Sequence, residues 1–252
     1  MSLLSGLATT QDSNIKSEQD SVGGGGPKDS GLYPGTIDIA YVEKKQSGAL
    51  FLQTVIKLDD GHEHREGLCI ASGDAKGNKS YYEDKQGQRH FLPGFNHANA
   101  LGLLSIGKEL NEMDTEKKTI RLYSFEQSKE VATDVDMVTD LVGQRVIIGL
   151  QKQIVDKRQK NDQTGQYEAT GETREVNEID KVFRERDRMT VAEILAQETE
   201  AKFYDTWDEK WTGKVRNKAS AANDANGGMR GVGAGAPKAG GNGGQQRSSL
   251  FN

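Results

Sequence analysis

The stretch from 141 to 167 constrains the fold of this chain more than any other. It begins as LVGQRVIIGL, an apolar run rich in β-branched residues, which predicts a strand buried on at least one face. It continues without a break as QKQIVDKRQK, in which Asp156 is the single acid among four cations. The turn-forming sequence NDQTG and a second strand-like run, YEATGETREV, follow. The pattern therefore predicts a core strand that extends beyond the core as one side of a basic hairpin.

The two ends of the chain differ in composition from its middle. Residues 1–31 contain GGGG, and residues 213–252 are rich in Gly, Ala, Asn, Ser and Gln. Neither segment can bury enough apolar surface to offset the entropy lost on ordering, so we predict disordered tails there. One folded domain is predicted at 32–212. No apolar run is long enough to span a bilayer, and we expect no membrane association.

The middle of the chain alternates between strand and turn patterns. Three strand patterns joined by short turns come first, at 36–45, 49–58 and 62–71. A polar excursion predicts a loop or small hairpin, and a helix at 90–113 with Asn96 as its cap follows. A short strand is predicted at 119–125. Thr190 and Glu193 form a capping-box pattern, which predicts the start of another helix.

This order of elements predicts an OB-fold, a five-stranded Greek-key barrel with a helix between its third and fourth strands. The predicted fold class is mainly β: an OB-fold-like five-stranded barrel with an extended β-hairpin, one or two helices and disordered termini. In the favoured assignment, 144–155 is the fourth strand and 167–176 the fifth. A competing assignment makes 119–125 the fourth strand. In the first assignment, 156–166 is the loop with which OB-folds contact oligonucleotides.

The sequence lacks the patterns of catalytic and metal sites. His62 and His64 have only Cys69 as a thiol partner, whereas structural zinc sites use several thiolates or imidazoles at defined spacing. We therefore expect solvent-facing strand histidines and no metal. GDAKGNKS differs from a phosphate-binding loop because Asn78 separates its glycine from its lysine. With no nucleophile elbow or paired carboxylates either, we expect neither enzymatic activity nor a cofactor.

Proteins that bind single strands combine cations, which neutralise phosphates, with aromatic side chains, on which bases stack. Because the whole chain has a net charge of -5, any such site must be local. The predicted DNA-binding residues are Tyr41, Phe51, Lys57, Tyr81, Tyr82, Arg121, Tyr123, Lys152, Lys157, Arg158 and Lys160. Alternative interpretations place Tyr41, Phe51 and Tyr123 in the core. The hairpin cations have the alternative role of keeping an exposed hairpin soluble.

Four segments between about 32 and 218 carry a resemblance to a known family: SGLYPGTIDIAYV, GALFLQTVIKLDDG, LVGQRVIIGLQKQ, and NEIDKVFRERDRMTVAEIL followed by FYDTWDEKWTGK. In these segments the chain resembles single-stranded DNA-binding proteins of tailed bacteriophages, particularly podophages. The resemblance implies an OB-fold that coats single-stranded DNA during replication, recombination and repair of a phage genome in the host cytoplasm. It also implies recruitment through flexible tails, with phage replication proteins or host RNA polymerase as partners.

The C-terminal tail departs from the bacterial single-strand-binding pattern, in which the tail ends in an acidic, apolar tip. Here the tail is net basic and ends QQRSSLFN. Arg247, Leu250 and Phe251 are the predicted partner-binding residues, and Leu250 and Phe251 resemble the apolar part of that tip. A rival prediction is a transcription-regulatory or recruitment protein that binds a polymerase subunit through this tail. The sequence does not distinguish DNA from RNA as the ligand.

Overall fold

The computed structural model describes residues 26–124, 127–161, 165 and 167–220. The predicted partner-binding residues Arg247, Leu250 and Phe251 lie outside these ranges, as do residues 1–25 and the rest of the C-terminal tail. The described residues form ten strands: β1 (Gly31–Lys44), β2 (Leu50–Leu58), β3 (Glu63–Ala71), β4 (Tyr81–Glu83), β5 (Arg89–Phe91), β6 (Thr115–Ser124), β7 (Lys129–Val138), β8 (Arg145–Lys160), β9 (Tyr167–Phe183) and β10 (Val215–Asn217). They also form three α-helices: α1 (Pro93–Ile106), α2 (Val191–Leu195) and α3 (Lys202–Trp211).

The chain is mainly β, and its first three strands form the predicted antiparallel meander. β1 pairs with β2, and β2 pairs with β3. The turn between β2 and β3 contains Gly61 at φ 86°, a left-handed conformation that glycine adopts without steric cost. Leu52 and Ile56 are fully buried, as the alternation of apolar residues along β2 indicates.

β8 is paired along both of its edges. β9 pairs with one edge of β8, from the pair Ile147 and Phe183 to the pair Lys160 and Tyr167. β1 pairs with the other edge of β8 along residues 145–150. The continuous order is therefore β9–β8–β1–β2–β3, with the favoured fourth and fifth strands adjacent and antiparallel. Within the described residues, β6, which contains most of the competing fourth strand, pairs only with β7.

The apolar run in β8 is buried on both faces. Ile148 lies in the main core with the inner residues of the meander, whereas Ile147 packs in a second cluster with Phe183 and Trp207. Gly149 lies on the same face of β8 as Ile147, and a Cβ there would stand 3.0 Å from the Trp207 ring. The second cluster explains why this strand is continuously apolar rather than alternating.

The sheet is not closed into a barrel, so the five-stranded OB barrel is not confirmed. Closure requires β3 to pair with β9, but these strands are bridged by a side chain: Glu66 Oε2 accepts a hydrogen bond from the backbone N–H of Ile179 at 2.8 Å. α1 packs against both strands, and His97 Nε2 donates to the Asp180 carbonyl at 3.2 Å. A helix and a carboxylate thus fill the seam where a backbone ladder was expected.

The helices differ from the predictions in two respects. α1 begins at Pro93, which suits the first helical position because proline lacks an N–H. Asn96 lies inside the first turn, so its assignment as the cap is wrong. The Thr190–Glu193 capping box is confirmed, with both reciprocal hydrogen bonds present, but α2 ends at Leu195 and α3 is a separate helix.

The described structure continues beyond the predicted limits of 32 and 212. Near the N-terminal limit, the Lys28 backbone N–H donates to Asn177 Oδ1 at 2.7 Å, and Asn177 Nδ2 donates to the Lys28 carbonyl at 2.8 Å. Near the C-terminal limit, β10 pairs in parallel with β8 at 152–154. The Ser220 hydroxyl then donates to the Asp156 carboxylate at 2.5 Å. The start of the C-terminal segment is therefore fixed alongside β8.

Candidate nucleic-acid interface

Two long hairpins leave the sheet from opposite ends of β1. β7 pairs with β1 at Tyr41 and Val42, and because the pairing is antiparallel the rest of β7 runs past the end of β1 at Lys44. β8 instead continues past the beginning of β1 at Gly31. We call the β6–β7 hairpin the short arm, and the part of β8–β9 from 152 to 177 the long arm.

The long arm is not basic along its whole length, because β9 places carboxylates beside the cations of β8. Lys152 Nζ lies 3.1 Å from Glu175, and Lys157 Nζ lies 2.8 Å from Glu172. The hydrogen bond with Glu175 is the main cause of a raised pKa at Lys152, and Lys157 correspondingly lowers the pKa of Glu172. Two of the four predicted arm cations are thus already neutralised within the arm.

The tip of the long arm carries the other two cations on one face. Arg158 pairs with Ala169 and Lys160 with Tyr167, and residues directly opposite in an antiparallel pair share a face. No carboxylate in the described ranges lies within ion-pair distance of Arg158 or Lys160. Tyr167 is 66% exposed. We call Arg158, Lys160 and Tyr167 the arm-tip patch.

The short arm repeats this combination of cation and aromatic ring. Arg121 and Tyr123 are two residues apart on β6, so their side chains lie on the same face. They pair with Ala132 and Glu130 of β7. Tyr123 is 55% exposed, which excludes its alternative interpretation as a core residue.

The β4–β5 hairpin carries a third exposed aromatic ring. Phe91 is 51% exposed and lies opposite Tyr81. The guanidinium of Arg89 lies 4.9 Å from the centre of the Tyr81 ring, and Lys79 Nζ lies 5.5 Å from it. Tyr82 pairs with His90 on the opposite face of the hairpin. The side chains of Tyr81 and Tyr82 therefore leave the hairpin on opposite faces.

The outer face of the meander displays the remaining predicted residues. Tyr41 and Phe51 are half-buried and lie in successive cross-strand rows, outside the main core cluster. Lys45 Nζ lies 5.8 Å from the Phe51 ring centre. Partial burial raises the pKa of Tyr41. Lys57 is exposed on the same face, with Asp38 at 3.1 Å.

The structure divides the predicted residues between two regions rather than gathering them in one site. Tyr41, Phe51 and the short arm lie towards the end of β1, whereas the arm-tip patch lies beyond its beginning. β1 contains 14 residues, which corresponds to about 45 Å of strand path. A ligand that contacts both regions must therefore be extended, as a polynucleotide strand is.

Sequence reasoning missed two of the exposed aromatic side chains, Phe91 and Tyr167. Phe91 follows Arg89 at the spacing that puts two strand residues on one face. The sequence RHF therefore already indicated a cation and an aromatic ring side by side. Tyr167 lies opposite Lys160 only because of the hairpin register. That register contains an irregularity between Asp156 and Arg158, with Gly171 at φ 82° opposite it, which simple counting does not reveal.

Across the described ranges, no three His, Cys, Asp or Glu side chains are arranged to hold a metal ion. His64 was predicted to face solvent, but it is only 4% exposed. His64 lies on the same inward face of β3 as Leu68, and its Nε2 lies 2.8 Å from Glu66 Oε2. It therefore belongs to the seam between β3 and β9.

No protein-family model matches the chain, and no curated protein matches it significantly. In the part of the chain with described structure, no helix has both the length and the apolar character needed to cross a membrane. The resemblance to phage single-strand-binding proteins therefore stays a prediction.

Proposed function

We propose that this protein binds single-stranded DNA with little sequence preference and has no catalytic role. The observation that carries the proposal is the placement of the exposed aromatic side chains. Among the described residues, the aromatic side chains that are more than half exposed are Phe91, Tyr123 and Tyr167. Each lies on a different hairpin, and each shares a face with an arginine or a lysine.

This arrangement suits a single strand for two physical reasons. Stacking a base on an exposed ring is worth about 1–3 kcal/mol and tolerates any base, because every base has a π-face. The cations beside Tyr123 and Tyr167 contact phosphates and release condensed counterions, which adds affinity that falls with salt, whereas Arg89 beside Phe91 is paired with Glu83. A duplex cannot use the rings in this way because its bases already stack on one another.

The strand order supports an OB-like arrangement in which the final closure is altered. The strand order β9–β8–β1–β2–β3, with α1 after the meander, is compatible with the order of elements in an OB-fold and supports this part of the proposal. In this proposal the Glu66 carboxylate and α1 replace the ladder between β3 and β9. The outer face of the meander, with Tyr41 and Phe51, then corresponds to the surface on which OB-folds bind oligonucleotides.

The proposed biological role is the coating of single-stranded DNA in replication, recombination and repair of a phage genome, in the host cytoplasm. Phage replication proteins or host RNA polymerase are the proposed partners. The position of Ser220 beside Asp156 supports a link between DNA binding and recruitment, because the chain that follows Ser220 begins beside the long arm.

The proposal is tested by fluorescence anisotropy with labelled oligo-dT at several salt concentrations. We expect binding at low salt, with a linear fall of log Kobs against log salt. Unlabelled oligo-U as competitor decides between DNA and RNA, and we expect it to compete less well than oligo-dT. Absence of oligo-dT binding at low salt would refute the proposed function.

A further inference from the structure

A cavity of about 550 Å³ opens between the segment after β3 and the β4–β5 hairpin. Its volume lies within the range of about 300–1,000 Å³ typical of sites for small organic ligands. Ala49, Cys69 and Leu92 contribute apolar lining, and Tyr81 and Tyr82 both contribute aromatic lining. The lining is thus largely apolar and includes two aromatic residues, with Lys79 and Arg89 beside the Tyr81 ring and His90 beside the Tyr82 ring.

The walls of the cavity are held in place by hydrogen bonds. Ser72 and Lys79 are joined twice: the Ser72 N–H donates to the Lys79 carbonyl, and the Lys79 N–H donates to Ser72 Oγ, both at 2.9 Å. The Asp74 N–H donates to the Ser47 carbonyl at 2.8 Å. Gly73 packs so closely that a Cβ would stand 2.4 Å from that same carbonyl.

The charged groups of the lining leave it with positive potential. Lys76 and Lys79 line the cavity, and no carboxylate in the described structure lies within ion-pair distance of either. The acid in the lining, Glu83, is occupied by Arg89 at 3.0 Å. Burial raises the pKa of the Cys69 thiol, and the nearby Lys76 ammonium partly opposes that rise. An anionic group entering the cavity would meet two unneutralised ammonium groups.

We propose that this cavity takes one nucleotide of the bound strand, with its base against Tyr81 and Tyr82 and its phosphate at Lys76 and Lys79. The inference rests on the proposed single-strand binding and deepens it, because it gives the strand a fixed anchoring point. Cys69 lies opposite Phe51 across β2 and β3. A strand leaving the cavity therefore continues over Phe51 on the outer face of the meander.

The chain provides its own reporter for this proposal, since Cys69 is its only cysteine and lines the cavity. The rate of Cys69 alkylation by N-ethylmaleimide is measured by mass spectrometry with saturating oligo-dT, and with an abasic oligonucleotide of equal length. Both occupancies are verified by anisotropy. We expect oligo-dT to slow alkylation by about fivefold or more, as a stacked base should, and the abasic strand to slow it far less. Alkylation that is unaffected by bound oligo-dT, or equally slowed by both strands, overturns the proposal.

Two matched charge reversals provide a second readout. Lys79→Glu alters the cavity lining, whereas Lys85→Glu makes the same charge change in the turn of the nearby β4–β5 hairpin, at a position outside the lining. We expect Lys79→Glu to abolish the protection of Cys69 by oligo-dT and Lys85→Glu to retain it. Equal protection in both variants would show that no phosphate is held at the cavity.

The two proposals fail in distinguishable ways. If the wild-type protein binds oligo-dT but Cys69 stays fully reactive, the cavity proposal is wrong and single-strand binding stands. If oligo-dT does not bind at low salt, the proposed function itself is wrong.

Discussion

Replacing both cations of the arm-tip patch tests the electrostatic part of the proposed interface. Arg158 and Lys160 lie on one face beside Tyr167, without a carboxylate in the described ranges at ion-pair distance. The double variant Arg158→Gln with Lys160→Gln keeps polar side chains at both positions and removes two charges. The matched control is Lys157→Gln with Glu172→Gln, which removes an ion pair from the same arm and leaves its net charge unchanged.

The size of the effect follows from counterion release. Each phosphate contact contributes about 0.7 to the slope of log Kobs against log salt for a single strand. Loss of two contacts should therefore flatten the slope by about 1.4, which corresponds to about 25-fold weaker binding at 0.1 M salt. Because the lost contribution shrinks as salt rises, the difference should fall to about fivefold at 0.3 M salt.

The assay is anisotropy of labelled oligo-dT between 0.05 and about 0.4 M salt, where counterion release gives straight log–log plots. The control variant should keep the wild-type slope. If the double variant keeps the wild-type slope, or the control flattens it as much, the arm tip does not contact phosphates and the reasoning is refuted.

Four further predictions follow from individual contacts. Tyr167→Ala should weaken oligo-dT binding by about 1–3 kcal/mol in anisotropy titrations while Tyr167→Phe keeps wild-type affinity; equal loss in both would contradict stacking. Thr190→Ala removes the α2 cap and should lower the free energy of unfolding in urea by about 1 kcal/mol, without changing DNA affinity. Gly149→Ala should cost about 1–3 kcal/mol in the same assay, because its Cβ meets the Trp207 ring at 3.0 Å; an unchanged midpoint would contradict this packing. Burial lowers the pKa of His97 in the folded state, so stability should be full above the unfolded pKa of about 6.5 and fall as pH drops below it. His97→Gln should reduce that pH dependence in urea titrations.

The meander and the capping box could be predicted from the sequence because both are determined by residues that are close together in the chain. The alternation of β2 identifies Leu52 and Ile56 as buried, and the turn containing Gly61 joins β2 to β3. Thr190 and Glu193 are three residues apart and cap the same helix turn. Each of these features depends on contacts that short sequence spacing determines.

The charge of the long arm could not be predicted because it depends on cross-strand register. The sequence shows Lys152 and Lys157 within a basic run, whereas Glu172 and Glu175 follow some fifteen to twenty-three residues later. Only the pairing of β8 with β9 brings these acids beside the lysines. The same register places Tyr167 opposite Lys160.

The seam between β3 and β9 was also beyond prediction from the sequence. A sheet closes into a barrel only if its two edge strands come close enough to form backbone hydrogen bonds with each other. Here α1 packs against both edge strands, β3 and β9. Glu66 reaches the Ile179 amide across 113 residues of sequence. The alternation along β3 puts His64 on the buried face with Leu68, but no local pattern indicates the bridge from Glu66 to Ile179.

The central claim is that the exposed aromatic rings of three hairpins favour single strands over duplexes. The most direct measurement compares the affinities of oligo-dT and of a duplex of equal length for the wild type and for a variant with Phe91, Tyr123 and Tyr167 all changed to serine. We predict that the wild type prefers the single strand and that the variant loses most of this preference while still binding both weakly at low salt. An unchanged preference in the folded variant would contradict the account.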